Sequence, residues 1–418
     1  MEHENGKKRV VISGIGAITP LAVGAEKSWK LMRQGASGIN FVRNFDTSKM
    51  RTKIAGEVTD FRAADFMDSR FERRFDRSIL LGLAAGRMAL EDARLNIGED
   101  SAGTTAVIMG NALGGRNLLE ANLDRINSGG SKRVSPYFIA GTLGSIISGQ
   151  MAISLGARGP NLTVNAACAS GVQAMGTALN MIRSGECEQA LAGGTEAGIT
   201  RLTFLGYDSM KVTSAENEFP ARASRPFDRE RDGFVPSEGS AVLVLESLSS
   251  ALKRNARIYA EISGFGATCD AYHVTAPDPE AKGPEMCMQK AIKDAGLESQ
   301  DIDCINAHGT ATSINDIAET RAIKSVFGSR STQIPITANK SMLGHMIGAA
   351  GAAESVFSVF SIRDGIIPPT INYHNPDKDC DLDYVPNASR KKDISCVLCN
   401  SFGFGGNNAA LVFRRYDG

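Results

Sequence analysis

Residues 165–171 read Asn165-Ala166-Ala167-Cys168-Ala169-Ser170-Gly171. A strand-like stretch ends at Asn165. Val172, Met175, Leu179 and Ile182 then follow at helical spacing, and Gly185 stands where the helix can end. This pattern sets Cys168 in a sharp strand-to-helix turn. The dipole and free N–H groups of a helix start favour thiolate over thiol. The same N–H groups suit an oxyanion hole. The chemistry on offer is nucleophilic attack on a carbonyl carbon. The residue type alone equally allows a small buried core position, since free cysteine is commonly core.

Of five histidines, two stand at comparable junctions. His308 follows the strand-like stretch 304–307 and precedes the hydroxyl-bearing run Gly309-Thr310-Ala311-Thr312. His345 closes Lys340-Ser341-Met342-Leu343-Gly344-His345, just ahead of a helical stretch at 347–362. Strand-to-helix junctions are where α/β proteins place their sites. Either histidine alone favours a structural role, but two beside a helix-start cysteine favour a shared site. His3, His273 and His374 lie in a terminus or in polar loops and read as structural. Cys396 and Cys399 form a CxxC inside a strand pattern, without the second pair a zinc site needs. Gly403-Phe404-Gly405-Gly406 lacks the Lys-Ser/Thr of a phosphate loop and reads as a side chain on a glycine hinge. Arg70, Arg73, Arg74 and Arg77 form a basic cluster on an expected helix, and Lys132 with Arg133 forms a smaller one. These are either solvated faces paired with Asp65, Asp68 and Asp76, or a dock for an acidic partner.

The elements that must carry these groups repeat. Residues 12–17 and 262–267 agree at five of six positions, at an offset of 250. Each copy follows a strand-like stretch, at 9–12 and 258–262, and its glycines read as a turn. Such spacing is too long for a solenoid and points to a duplicated domain, with halves 1–256 and 257–418. Further strands are expected at 105–109, 162–165, 189–192 and 241–246 in the first half. The second offers 304–307, 334–337, 396–399 and 409–413. Helices fall between, for example at 78–95 and 317–326. This alternation implies α/β layers with largely parallel sheets.

Composition agrees with a globular chain. Of 418 residues, 46 are Lys or Arg and 46 Asp or Glu, so the formal net charge is zero. That balance argues against a nucleic-acid binder or a polybasic membrane protein. Eight cysteines over this length are no disulfide framework. No run of about 18 apolar residues suggests a membrane span, no secretion signal is read at the start, and a cytoplasmic location is expected. Glycine is in excess, 44 residues against a usual ~7%. Tight turns or close backbone approach are therefore expected at many positions.

Seven segments together resemble the β-ketoacyl-acyl-carrier-protein synthases, nearest the synthase II type. They are ACASG around Cys168, AGGTEA at 192–197, SRPFDRERDGFV at 224–235, DAYHVTAP at 270–277, NAHGTAT at 306–312, KSMLGHMIGAAG at 340–351 and NSFGFGG at 400–406. The resemblance spans essentially the whole chain. It implies a thiolase-like fold, two similar halves in five αβαβα layers, and decarboxylative Claisen condensation. Cys168 would take an acyl chain from a carrier-protein thioester. The enolate left when malonyl-carrier-protein loses carbon dioxide would then attack that acyl group. The Cys168 and Phe404 N–H groups match the family's oxyanion donors. His308 and His345 match its paired histidines, Lys340 the lysine supporting His345, and Glu354 an acid wired to that lysine. Thr310 and Thr312 match hydroxyls on the phosphopantetheine arm, and Phe404 a gate. Leu113 and Phe138 match acyl-pocket positions, the latter facing a partner subunit.

The resemblance also implies an acidic acyl carrier protein as partner, which gives weight to Arg70, Arg73, Arg74, Arg77, Lys132 and Arg133 as a dock. It implies a homodimer, or a heterodimer with a chain-length factor. No organic cofactor is expected and no catalytic metal; by analogy a structural monovalent cation sits near Asn306, Glu354 and Asn400. Departures from the family pattern are Ser237, Asn339 and Asn407, in place of Gly, Ser/Thr and Thr. Asn315-Asp316 with Glu319-Thr320 looks closer to polyketide ketosynthases, which leaves fatty-acid and polyketide pathways both open. A chain-length factor lacks the nucleophile. A degradative thiolase needs a second active-site cysteine near the C-terminus, where this chain has Phe404. A synthase III type places Asn where His345 stands.

Overall fold

The computed structural model describes residues 3–4, 7–130 and 134–418. Ten strands build its core: β1 (Val10–Thr19), β2 (Thr105–Gly110), β3 (Asn161–Val164), β4 (Gln189–Glu196), β5 (Gly239–Ser247), β6 (Ala260–Cys269), β7 (Cys304–Asn306), β8 (Ile336–Thr337), β9 (Cys396–Gly403) and β10 (Asn407–Arg414). Their order is β3-β2-β4-β5-β1 in one half and β8-β7-β9-β10-β6 in the other. Strand for strand the two orders are the same, so the repeat read from 12–17 and 262–267 marks β1 and its counterpart β6. The two sheets meet along these strands, where Ile12 pairs with Ala260 and Val11 with Glu261.

Among the helices of the first half, α1 (Arg77–Ala93), α2 (Ser145–Leu155) and α3 (Ser170–Ser184) pack on its sheet. Their counterparts in the second half are α4 (Lys282–Asp294), α5 (Ser313–Phe327) and α6 (Ala350–Asp364). Helices α1 and α2 cover the outer face of the first sheet, and α4 and α5 that of the second. Between the sheets lie α3 and α6, packed on each other. Every residue of α6 from Ala350 to Ile362 is buried, as a helix enclosed on all sides requires. The result is a thiolase-like αβαβα fold.

Two expectations change. The glycines of the repeat are not a turn, for β1 runs through them to Thr19. A methyl at Gly16 would stand 2.0 Å from the Ala85 carbonyl oxygen of α1, and one at Gly266 2.2 Å from the Cys287 carbonyl of α4. Each glycine lets an outer helix press directly on its strand, a close backbone approach inside a strand. Nor are the sheets parallel throughout. β2 runs parallel to β3 and β4, and β7 to β8 and β9. β5 and β10 instead pair antiparallel with both neighbours. In the second half the reason is visible, because only Phe404–Gly406 separates β9 from β10. So short a link can only form a hairpin.

Candidate active site

The duplicated frame delivers the two key side chains in equivalent ways. Cys168 stands just before α3, and His345 just before the 3₁₀ turn Ile347–Ala349 that leads into α6. Ala167 takes the left-handed conformation, φ 50°, which costs a non-glycine residue about 1 kcal/mol or more and turns the thiol out of the chain. The turn is pinned from three directions. Ala166 N–H donates to Ser170 Oγ at 2.9 Å, Ser170 Oγ donates to the Ala167 carbonyl at 2.6 Å, and Ser401 Oγ donates to the Cys168 carbonyl at 3.0 Å.

Cys168 Sγ lies 3.1 Å from His345 Nε2. Ile347 N–H donates to His345 Nδ1 at 3.2 Å, so the proton of the neutral ring sits on Nε2, toward the sulfur. His308 is set the same way by a different partner. The Lys340 ammonium is 3.2 Å from His308 Nδ1, 2.6 Å from the His308 carbonyl and 2.5 Å from Glu354 Oε1. Thus Lys340 reaches His308, not the His345 that the resemblance assigned to it. Cys168 Sγ and one ring nitrogen of each histidine all lie within 4.8 Å of one another. Burial holds both imidazoles neutral, well below the usual histidine range, and the Lys340 charge pushes the same way.

Burial also pushes the Cys168 thiol up to about 12. Lys340 and the N–H groups of Phe404 and Cys168, both aimed at the sulfur, pull in the opposite direction. The helix-start preference for thiolate expected from the sequence is therefore outweighed at rest. Glu354, buried against Lys340, is raised by burial and lowered by that ammonium.

A cavity of about 490 Å³ opens onto these groups. Cys168, His308, His345, Phe404, Thr310, Thr312 and Leu113 all line it. Thr310 and Thr312 hydroxyls are 2.9 Å apart. Phe404, 37% exposed, stands at its rim on a hinge where Gly405 has φ 79° and Gly406 φ 73°. The departure Asn407 closes this hinge by donating to the Phe404 carbonyl at 2.8 Å. Asn339 accepts from Asn306 Nδ2 at 2.9 Å and so joins the network beneath Lys340. Ser237 donates to the Gly56 carbonyl at 3.1 Å. Phe138 does not line the cavity; it opens a short helix, Phe138–Thr142.

The basic cluster divides. Residues 70–76 form turns rather than the expected helix. Arg77, the first residue of α1, is no docking side chain, because it pairs with buried Glu238 at 2.9 Å and donates to the Val58 carbonyl at 2.7 Å. Arg70 pairs with Asp68 at 2.7 Å, Arg74 lies over the Tyr137 ring, and Arg73 is exposed. Lys132 and Arg133 lie outside the described residues.

Sequence reasoning missed two supports of the site. Glu319 on α5 accepts from His308 N–H and Gly309 N–H, both at 2.8 Å, and burial pushes its carboxyl up to about 7. An acid among Ala318, Ala322 and Ile323, on the buried face of α5, was the available signal. Phe234 sits edge-on to His345, with ring centroids 5.3 Å apart, and only the long-range fold brings it there.

A thiol that can attack a carbonyl, N–H groups to hold the resulting oxyanion and two neutral N–H donors facing it, on a thiolase-like frame, define the condensing acyltransferases. Comparisons with known proteins agree. Residues 7–251 match the β-ketoacyl synthase N-terminal domain and residues 259–374 its C-terminal domain. The 3-oxoacyl-[acyl-carrier-protein] synthase 2 of Synechocystis sp. is 44% identical over 411 residues, covering 98% of this chain and 99% of that protein. The protein of the same name from Coxiella burnetii is 44% identical over 409 residues, at 98% and 99% coverage. Among solved structures, the ishigamide ketosynthase/chain length factor superposes with a TM-score of 0.91 at 36% identity, covering 98% of this chain and 100% of that one. A type II PKS acyl-carrier protein in complex with its ketosynthase bound to the hexaketide gives 0.91 at 33% identity, with the same coverage. The chain belongs to the β-ketoacyl synthase family and is an acyltransferase.

Proposed function

We propose that this chain elongates carrier-bound acyl groups by decarboxylative Claisen condensation at Cys168. The observation that carries the residue assignment is the pair of imidazoles beside the Cys168 sulfur, each with its Nδ1 engaged, by Lys340 at His308 and by Ile347 N–H at His345, which leaves the Nε2 proton as the donor. In the first half-reaction Cys168 Sγ bonds to the acyl carbonyl carbon, and the phosphopantetheine sulfur departs, taking up the proton that Cys168 gives away. The Cys168 and Phe404 N–H groups hold the tetrahedral oxyanion. In the second, the malonyl thioester releases carbon dioxide. The electron pair stays as an enolate whose oxygen accepts from His308 and His345 Nε2–H. The enolate carbon bonds to the acyl carbonyl carbon, and Cys168 leaves as thiolate and is reprotonated from solvent. Lys340, tied to Glu354, fixes the His308 tautomer and raises the cost of a positive imidazole. The test is intact mass after incubation with an acyl-carrier protein. An added acyl group at Cys168, consumed to 3-oxoacyl product when malonyl-carrier-protein follows, is expected; condensation by a Cys168→Ala protein overturns the assignment.

Three finer parts of the reading have their own support. For an acidic carrier protein as partner, it is the exposed Arg73 and the partly covered Arg74. For a ketosynthase-like partner subunit, whether a second copy or a chain-length factor, it is the apolar surface of Ile139, Leu143, Ile153 and Leu162, which are 51–77% exposed except Leu162 at 43%. Leu162 lies on β3, the open edge of its sheet. For a structural monovalent cation, it is the buried oxygens Asn306 Oδ1, Glu354 Oε2 and Asn400 Oδ1, which have no hydrogen-bond partner. All-oxygen donors fit a hard cation. Held there, it would balance the Glu354 charge beneath Lys340.

A further inference from the structure

The segment AGGTEA at 192–197 has had no part in the chemistry so far. Its acid, Glu196, closes β4 and is fully buried. Through Oε2 the carboxylate accepts from Ala112 N–H at 3.0 Å and from Gly348 N–H at 3.2 Å. Through Oε1 it accepts from Asn111 Nδ2 at 3.1 Å, and Leu113 N–H lies 3.4 Å from both oxygens. Ala112 and Leu113 follow β2 and line the cavity. Gly348 belongs to the turn just after His345. One carboxylate thus joins the pocket wall of the first half to the histidine turn of the second. Burial pushes it up to about 7, against the pull of these N–H groups.

What Glu196 holds is strained. Ile347 has φ 44°, an outlying conformation for a β-branched residue. The peptides on its two sides aim their N–H groups at different acceptors. Ile347 N–H donates to His345 Nδ1, and Gly348 N–H donates to Glu196. The backbone angles of Ile347 decide whether both bonds form together. Ala349 N–H also closes this turn, donating to the Met346 carbonyl at 2.9 Å, but turns with either sign of φ at this position make such a bond. It does not select φ 44°. The contact with Glu196 is close enough to do so, since a methyl on Gly348 would stand 2.8 Å from Glu196 Oε2. We propose that Glu196 is a positioning residue: by anchoring Gly348 it holds Ile347 at positive φ, which keeps the Ile347 N–H on His345 Nδ1 and the His345 proton on Nε2. The inference deepens the proposed condensing reaction, because that proton is the one offered to the enolate.

The experiment labels histidine with ¹⁵N and reads the two ring nitrogens of His345, assigned by their loss in His345→Ala. Carbon dioxide release from a malonyl thioester of an acyl-carrier protein gives kcat and KM in parallel. The unaltered protein should show the Nε2–H tautomer alone. Glu196→Gln keeps an oxygen for Gly348 N–H and should match it, with kcat within about twofold. Glu196→Ala should give a mixture of tautomers and a kcat about tenfold lower, the worth of one hydrogen bond. Its KM should hardly change, because Glu196 does not line the cavity. Glu196→Asp draws the oxygens back by one methylene and should shift the same way, so the test does not hang on the alanine protein folding. An Nδ1–H tautomer in the unaltered protein overturns the inference without any variant. So does a pure Nε2–H tautomer in folded Glu196→Ala or Glu196→Asp, or a glutamine protein as impaired as these. If the tautomer follows Glu196 but the unaltered protein releases no carbon dioxide, the condensing reading fails and the anchoring of His345 stands.

Discussion

At the scale of single residues, the site separates a nucleophile from two donors, and each can be removed alone. Cys168→Ala is expected to abolish acyl loading while the fold persists, because the small cavity left lies in a solvent-connected pocket. Cys168→Gln is expected to keep malonyl decarboxylation, which needs only the imidazoles; carbon dioxide release measures it. His308→Ala or His345→Ala should lower decarboxylation by about 10²-fold or more, in the range seen for single electrostatic donors, while acyl loading falls far less. Unchanged decarboxylation in both would remove them from the mechanism. The pH dependence follows from the same geometry. Both imidazole pKa values lie well below 6.5, so the rings stay neutral as pH falls through that value. Malonyl decarboxylation should therefore show no acid limb centred near pH 6.5. Such a limb would mean that one histidine is exposed to solvent or free of the Lys340 charge.

At the scale of elements, the site rests on duplicated packing, and the repeat predicts matched effects. A methyl at Gly16 or Gly266 meets helix backbone at 2.0 or 2.2 Å, where no side chain can yield. Gly16→Ala and Gly266→Ala should each destabilise by about 1–3 kcal/mol or more through overpacking, read as a lowered urea midpoint. A neutral result at either position would show that the outer helix is free to lift. These glycines also mark what a sequence can reveal. The periodicity after Cys168 and after His345 exposed the two central helices and their start-point residues, because helical spacing is a local signal. The repeat exposed the duplication. The glycine pairs were misread as turns, since the demand for them comes from α1 and α4 pressing across the strand. The antiparallel course of β5 and β10 was hidden for a similar reason: alternation of strands and helices does not encode direction. Phe234 acquires its place against His345 only when distant segments meet. Arg77, drawn from sequence into a docking cluster, is claimed by Glu238, 161 positions away.

At the scale of the whole molecule, a zero net charge conceals unequal surfaces. Forty-six basic and 46 acidic residues cancel, yet many of the basic ones are committed internally: Arg9, Arg183, Arg231 and Arg254 each hold a buried or partly buried acid. The steering field belongs to those left over. Arg73 is exposed, and Arg74, half-buried, is held over the Tyr137 ring. If an acidic carrier docks there, Arg73→Glu with Arg74→Glu replaces attraction by repulsion at two points. Rim charges act chiefly on encounter rate and salt dependence. The double variant should thus raise KM for acyl-carrier protein by about tenfold or more at low salt and leave the maximal rate nearly intact. Added salt, with a Debye length of about 8 Å at 0.15 M, should shrink the difference between the two proteins. Turnover of a small acyl-pantetheine thioester, which has no carrier to steer, should stay unchanged. A parallel loss on both substrates would mark damage to the turn that carries these arginines. An unchanged KM for the carrier would move the dock elsewhere on the surface.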